Sequence, residues 1–230
     1  MNAVTAWSYS RWADHKRCPL YFKEKYLTKS ISTDTSPAME RGNDIHKGVA
    51  AWLTGQAEGV PRDAIQNPRA EQILLEIAQF PDKLVEQQWG FTSNYKETAW
   101  FSRDPSKPTW WRVILDVALI YPDMTGEGLD WKTGKRYDTN ADQMELNALG
   151  LLCKFPSLKS ATSRMIYLDE KGKDIEDIED FPATHKQRLI DKWTKAVEPM
   201  FTDEVFAPRP NEKCKWCPLA RSKGGKCAFG

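Results

Sequence analysis

What the sequence lacks narrows the field first. No stretch of its 230 residues approaches the roughly 20 consecutive apolar residues that a membrane-spanning helix needs, so no membrane association is expected. Residues 1–10 include Trp7, Ser8 and Tyr9 but no charged segment followed by an apolar block. No secretory signal is therefore expected, and the expected location is the cytoplasm. An excess of one charge is missing too: 33 Lys and Arg face 32 Asp and Glu, for a formal net charge of +1. That excludes a histone-like binder working by bulk charge, while leaving room for a local basic groove. There is no internal repeat, low-complexity linker, nucleotide-binding P-loop, helicase motif, helix-turn-helix or zinc-finger module. A helicase and a sequence-specific DNA reader are thus not indicated. Cysteines number only five, and in a reducing cytosol they read as thiols or metal ligands rather than disulfides.

What is present suits one large domain spanning residues 1–230. Ten tryptophans within a 40% hydrophobic composition supply enough apolar surface for a sizeable core and argue against disorder. Positive charge gathers at the two ends, with Arg11, Lys16 and Arg17 near the start and Lys213, Lys215 and Arg221 near the finish. Helical spacing predicts helices over 8–27 (interrupted at Pro19), 39–53, 69–80, 141–155 and 182–201. Residues 30–37 read as a polar loop. Strands are predicted at 84–91, 95–102, 110–121, 128–132 and 164–168, with Pro122, Asp123 and Gly126 turning the third into the fourth. Helices, a run of strands, a helix, a strand and a helix imply an α/β fold: a mixed sheet covered by helices.

The chemical signal is Asp116, followed fourteen residues later by Asp130-Trp131-Lys132. Strand alternation points Asp130 and Lys132 the same way and Trp131 into the core. Pairing of the two strands brings Asp116 beside Asp130, so two carboxylates and an ammonium converge. Hard oxygen ligands suit Mg²⁺ or Mn²⁺, which can acidify water and offset phosphate charge. A nearby lysine can orient that water. Taken alone, a D-x-K hairpin is also a common solvated surface. Gln143, Asn147 and Gly150 follow on one helix stripe, where an amide can steady an acidic centre without adding charge and the glycine permits close approach of another backbone.

The run LDWKTGK followed by ADQMELNALGLL resembles the PD-(D/E)XK nuclease superfamily, in its RecB-like exonuclease branch, which includes AddB and the CRISPR-associated RecB-like nucleases. The resemblance covers nearly the whole chain and implies a restriction-endonuclease-like fold and Mg²⁺- or Mn²⁺-dependent hydrolysis of DNA. It implies catalytic roles for Asp116, Asp130, Lys132 and Gln143, and metal binding by His46 (in Gly42-x-x-x-His46), Asp116, Asp130 and Glu86 on the first predicted strand. Two positions depart from the family pattern: Asn147 stands where tyrosine is common, and Val113 where glycine often precedes the first aspartate.

Cys18, Cys214, Cys217 and Cys227 remain once Cys153, in the apolar helix, is set aside as a core residue. Their ligand chemistry fits zinc and a 4Fe–4S cluster equally. The resemblance implies the 4Fe–4S cluster, bound by one distant and three local cysteines, with residues 1–30 and 205–230 forming the cluster-binding subregion. The gap before Cys227 is longer than the family's usual one. Closing so long a loop would remove much unfolded-state freedom. It would also join the two basic ends into a wall where Arg11, Lys16, Arg17 and Lys215 contact DNA, single-stranded or with free ends, with Asn147 as a separate DNA contact on the helix of Gln143. The implied protein is a stand-alone exonuclease of phage or bacterial DNA recombination, repair or processing. The rival readings are an inactive DNA- or protein-binding module of the same fold, and an interaction protein stapled by a zinc ribbon.

Overall fold

A computed structural model describes residues 4–31, 36–134, 136–137 and 140–229. Its elements in chain order are α1 (Tyr9–Arg17), α2 (Pro19–Phe22), a π-helical turn (Lys23–Leu27), α3 (Pro37–Leu53), α4 (Pro68–Ala78), β1 (Leu84–Phe91), β2 (Glu97–Thr98), β3 (Trp111–Ile120), β4 (Thr125–Lys132), α5 (Asn140–Lys154), β5 (Ser160–Tyr167), β6 (Glu176–Pro182) and α6 (Lys186–Thr202). The chain divides into two compact units, residues 1–34 with 191–230, and residues 35–190. Residues 32–35 of the expected polar loop lie outside the described residues.

In the larger unit, local sequence starts each helix. Ser36 caps α3, its hydroxyl accepting from the Met39 amide at 3.3 Å, and Asn67 caps α4, accepting from the Arg69 amide at 2.8 Å. A proline follows each cap at the first helical position, where its missing N–H costs nothing. Ile45, Val49 and Leu53 of α3 and Ile73, Leu74 and Ile77 of α4 turn inward, packing on Val117, Leu119, Leu129 and Trp131 of the sheet. The sheet order is β2-β1-β3-β4-β5-β6. All neighbours run antiparallel except β4 and β5, which are parallel and are joined by α5 as a crossover. This is the expected α/β architecture, a mixed sheet flanked by helices.

Strict alternation would put residues 113, 115, 117 and 119 on one face. The structure departs from it. A Cβ added at Gly150 of α5 would meet Val113 at 3.0 Å, and one at Gly128 would meet both Leu151 of α5 and Leu115. Val113 and Leu115 therefore face α5, whereas Val117 and Leu119 face α3 and α4. In β1, likewise, Val85 packs with the α3–α4 cluster while Trp89 lies against Gly150 and Phe155. Both strands slip at one step, where Glu86 stands opposite Asp116 between the pairs Val85↔Val117 and Gln87↔Leu115. Glu86 absorbs the slip with φ +50°, a strained value for a residue with a side chain.

Several expected boundaries move. The strand foreseen at 95–102 shrinks to Glu97–Thr98, because Tyr95 turns the chain with φ +54°. β4 begins at Thr125, and its glycines lie within the strand, where a Cβ at Gly126 would meet Leu158 at 2.8 Å. β5 begins at Ser160, and β6 was not foreseen: its sequence EDIEDFP is acidic and ends in proline, a composition that protects a sheet edge from further pairing. The last helix starts at Lys186, after a 3-10 turn over Ala183–His185. The first expected helix breaks at Cys18, whose extended backbone lets Pro19 open α2.

In the smaller unit, Trp7 and Trp12 pack on Trp193 of α6, with ring centroids 6.0 and 4.9 Å apart. The Trp12 indole N–H donates to the Ala196 carbonyl at 3.1 Å. Below them His15 sits against Phe22 and Phe206 and donates through Nε2 to Asp203 at 3.1 Å.

Candidate functional site

The strand slip builds the site. β3 and β4 stop pairing beyond Val117↔Leu129, which leaves the Trp131 amide without a strand partner. Asp116 fills the gap: its Oδ2 accepts from the Trp131 amide at 2.7 Å, and its Oδ1 accepts from His46 Nδ1 on α3 at 2.9 Å. Ligand atoms of His46, Glu86 and Asp116 all lie within 4.8 Å of one another. They open onto a groove lined by Asn43, Lys47, Ala50 and Ala51 of α3 and by Ile114 of β3. One nitrogen and two carboxylates form a hard donor set that fits a divalent cation.

On the α5 side of the same strand end, the Lys132 ammonium lies 2.7 Å from Asp130 Oδ2 and donates to Gln143 Oε1 at 2.9 Å. The Gln143 amide N–H donates to the same Asp130 oxygen. Asp130 is only 7% exposed. Burial raises its carboxyl pKa and Asp116 adds to the rise, against the pull of Lys132. Glu86 is raised by partial desolvation and then by Asp116. Burial alone would lower His46, yet the hydrogen bond and charge of Asp116 outweigh it and hold its pKa above the ordinary value. Crowded carboxylates that cling to protons describe a site short of positive charge, which a cation would relieve.

A sequence model of the PD-(D/E)XK nuclease superfamily matches residues 6–222. The chain belongs to the PD-(D/E)XK nuclease superfamily. Nucleases of this superfamily use divalent metals, in keeping with the donor set. Among solved structures, the chain is similar to a Eubacterium rectale protein described as a candidate exonuclease. That match has 14% identity and a TM-score of 0.50, and covers 93% of this chain and 87% of the other. The structure of SSO0001 is similar at 14% identity and TM-score 0.47, with 96% and 87% covered. No curated protein matches the chain in sequence.

The expected site residues of this PD-(D/E)XK chain distribute unevenly. Asp116, Asp130, Lys132, Gln143, His46 and Glu86 gather at one strand end, with Glu86 rather than Asp130 sharing the donor set of His46 and Asp116. Asn147 corrects the expectation of a DNA contact: it is 1% exposed, one turn deeper than Gln143 in a helix buried almost throughout from Met144 onward. Gly150 makes room for the Val113 side chain, not for a backbone. The sequence reading missed Arg41, which grips Asp169 through two nitrogens at 2.9 and 2.7 Å. Asp169 in turn accepts from the Gly134 amide at 2.8 Å, steadying the chain just beyond Lys132. Asn43 and Lys47 were missed as well, although their spacing from His46 puts all three along one stretch of helix.

All four terminal cysteines line one cavity of about 250 Å³ in the smaller unit, together with apolar Leu20, Leu219 and Phe229. The Arg209 amide points at Cys18 Sγ from 3.5 Å and the Asn211 amide at Cys214 Sγ from 3.3 Å. Asn211 also donates to the Arg17 carbonyl at 3.2 Å, so residues 209–211 run along residues 16–18. The long gap before Cys227 is absorbed by a hook. Residues 221–224 turn away, Gly225 passes so close that a Cβ would lie 2.3 Å from the Leu219 carbonyl, and Cys227 returns to pair with Ala220. Donor set and cavity fit a cluster held by thiolates. Cys153 stands apart, buried, its pKa pushed up to about 11 by that burial.

Of the basic residues expected at DNA, Lys16 is exposed over Trp12 and Arg17 stacks on Tyr21 at 4.0 Å. Arg11 lies against Phe22 and Tyr26. Lys215 covers Trp216, which is 64% exposed. No helix among the described residues is long and apolar enough to cross a membrane.

Proposed function

We propose that this chain is a divalent-metal-dependent deoxyribonuclease of the RecB-like branch that degrades DNA from its ends, preferring single strands. One observation carries the reading: the donor set of His46, Glu86 and Asp116 lies at the same strand end as the Asp130–Lys132–Gln143 cluster. His46, Glu86 and Asp116, with Asp130 from the α5 side, would hold Mg²⁺ or Mn²⁺. Bound there, the ion supplies Lewis acidity, making water more acidic and offsetting phosphate charge. Lys132 orients the attacking water and neutralises charge gathering on the phosphate oxygens. Gln143 fixes the lysine by accepting from its ammonium, and Asp130 holds the other side of that ammonium at 2.7 Å. The exonuclease assignment draws support from the family resemblance and from the description of the Eubacterium rectale protein.

In the same reading Cys18, Cys214, Cys217 and Cys227 hold a 4Fe–4S cluster as a structural staple, and the smaller unit is the cluster-binding part of the nuclease. The one cavity lined by all four thiols supports a shared metal group, and the family resemblance makes it the cluster rather than zinc. A place in the recombination, repair or processing of phage or bacterial DNA follows from the resemblance. The test incubates end-labelled DNA with Mn²⁺ and compares the wild type with Lys132→Ala. The variant should lose at least about 10²- to 10³-fold in rate with its melting temperature preserved. Equal product from both proteins would reject the assignment. Brown colour with a broad visible absorption band after anaerobic purification checks the cluster, and a colourless zinc protein would reject it.

A further inference from the structure

Asp116 stands at the end of an open strip of sheet. Two residues earlier, Ile114 is 46% exposed and lines the groove with Asn43 and Lys47. Two residues earlier again, Arg112 falls on the same face by strand alternation. Its guanidinium lies 4.2 Å from the Phe101 ring centroid and 5.5 Å from that of Trp100, and its Nε–H donates to the Trp100 carbonyl at 2.9 Å. Phe101 itself is 68% exposed. Arg112 is half-buried and burial lowers its pKa, with no nearby carboxylate to oppose the fall. Lys47, on the α3 wall, also forms no ion pair among the described residues. Two cations that form no ion pair among the described residues, an exposed ring and an apolar floor thus lead away from the metal-ligand set.

We propose that this strip is the track for an unpaired stretch of polynucleotide, in which a base stacks on Phe101, a phosphate meets Arg112, and Lys47 takes a phosphate nearer the metal ligands. The proposal rests on the nuclease reading, with its preference for single strands, and adds to it the surface that selects them. Four strand residues separate Asp116 from Arg112, about 13 Å, the span of a few nucleotides. The interior bases of a duplex already stack on one another, so an exposed ring favours bases freed from pairing.

Fluorescence anisotropy in EDTA, where no cleavage occurs, measures the binding of a labelled oligodeoxythymidylate and of a blunt duplex. Phe101→Ala should weaken single-strand binding by about 5- to 150-fold, the range of one base–aromatic stack, and Phe101→Trp should retain it. Duplex binding should not change. Arg112→Gln should lower affinity and reduce the salt dependence by about one phosphate contact. Single-strand binding by Phe101→Ala equal to that of the wild type would overturn the track, as would equal losses for both DNAs or no binding by the wild type. A wild type that binds in this way but cleaves nothing with Mn²⁺ would sink the nuclease reading and leave the track standing.

Discussion

Gln143 offers a way to ask how the Asp130–Lys132–Gln143 cluster is wired. Its amide donates to Asp130 while its carbonyl accepts from Lys132, which is itself in contact with the same Asp130 oxygen. Gln143→Ala removes two hydrogen bonds to charged groups. A hydrogen bond to a charged group contributes about 1.5–3 kcal/mol net. If one such contribution is expressed in the transition state, kcat/KM falls roughly 10- to 150-fold. Loss of Lys132 should cost more, because the charge itself disappears.

The decisive quantity is the coupling between the two. A glutamine that only holds the ammonium in place has nothing left to hold once the ammonium is gone. Gln143→Ala should then cost little in a Lys132→Ala background, and the double variant should match Lys132→Ala alone. Gln143→Glu sharpens the argument: it keeps the size but turns a carboxylate oxygen toward Asp130, so it should cost more than alanine. The assay is kcat/KM on end-labelled single-stranded DNA with Mn²⁺, beside thermal melts that check folding. Equal costs of Gln143→Ala in both backgrounds would refute positioning through Lys132, and no cost in either would remove Gln143 from the machinery.

Gly225→Ala should open the hook that returns Cys227, since the new Cβ would strike the Leu219 backbone; iron per chain should fall to the level of Cys227→Ala, and full iron content would refute the hook's role. His15 predicts a pH dependence of stability: burial holds its pKa below the ordinary 6.5, outweighing the opposing pull of Asp203, so unfolding takes up a proton. Stability is then complete above about pH 6.5 and declines as pH falls toward the depressed folded-state value. The melting temperature of the wild type should drop more than that of His15→Gln over that range.

The parts legible in the sequence are those set by neighbours along the chain. The apolar spacing of Ile45 and Val49 marks α3 and its inward face, whereas the Ser36-Pro37 and Asn67-Pro68 caps went unread and the helices were expected to start at 39 and 69. Asp130 and Lys132 sharing a face follows from alternation alone. β6 was hidden because a solvent-facing edge strand needs few apolar residues, and its acidic sequence reads as a loop. Asn147 misled because helical spacing tells which stripe a residue lies on, not how far the packed interior extends along it. Cys227 looked too distant because a hook shortens through space what the sequence lengthens.

The deeper miss is the slip at Glu86 and Asp116, and it bears on function. Counted back from Val117, which faces α3 and α4, unbroken alternation would turn Asp116 toward α5, away from His46. The slip turns it to the α3 side instead, 2.9 Å from the histidine, while Asp130, next to the inward Trp131, keeps its alternation and meets Gln143 on the α5 side. Carboxylates from neighbouring strands thereby close on the strand end from opposite faces of the sheet. Strand irregularities commonly re-aim side chains at active sites, and here the strain at Glu86 both signals the irregularity and supplies a donor to the set it creates. No run of residues within either strand encodes that arrangement, because it exists only where the two strands pair.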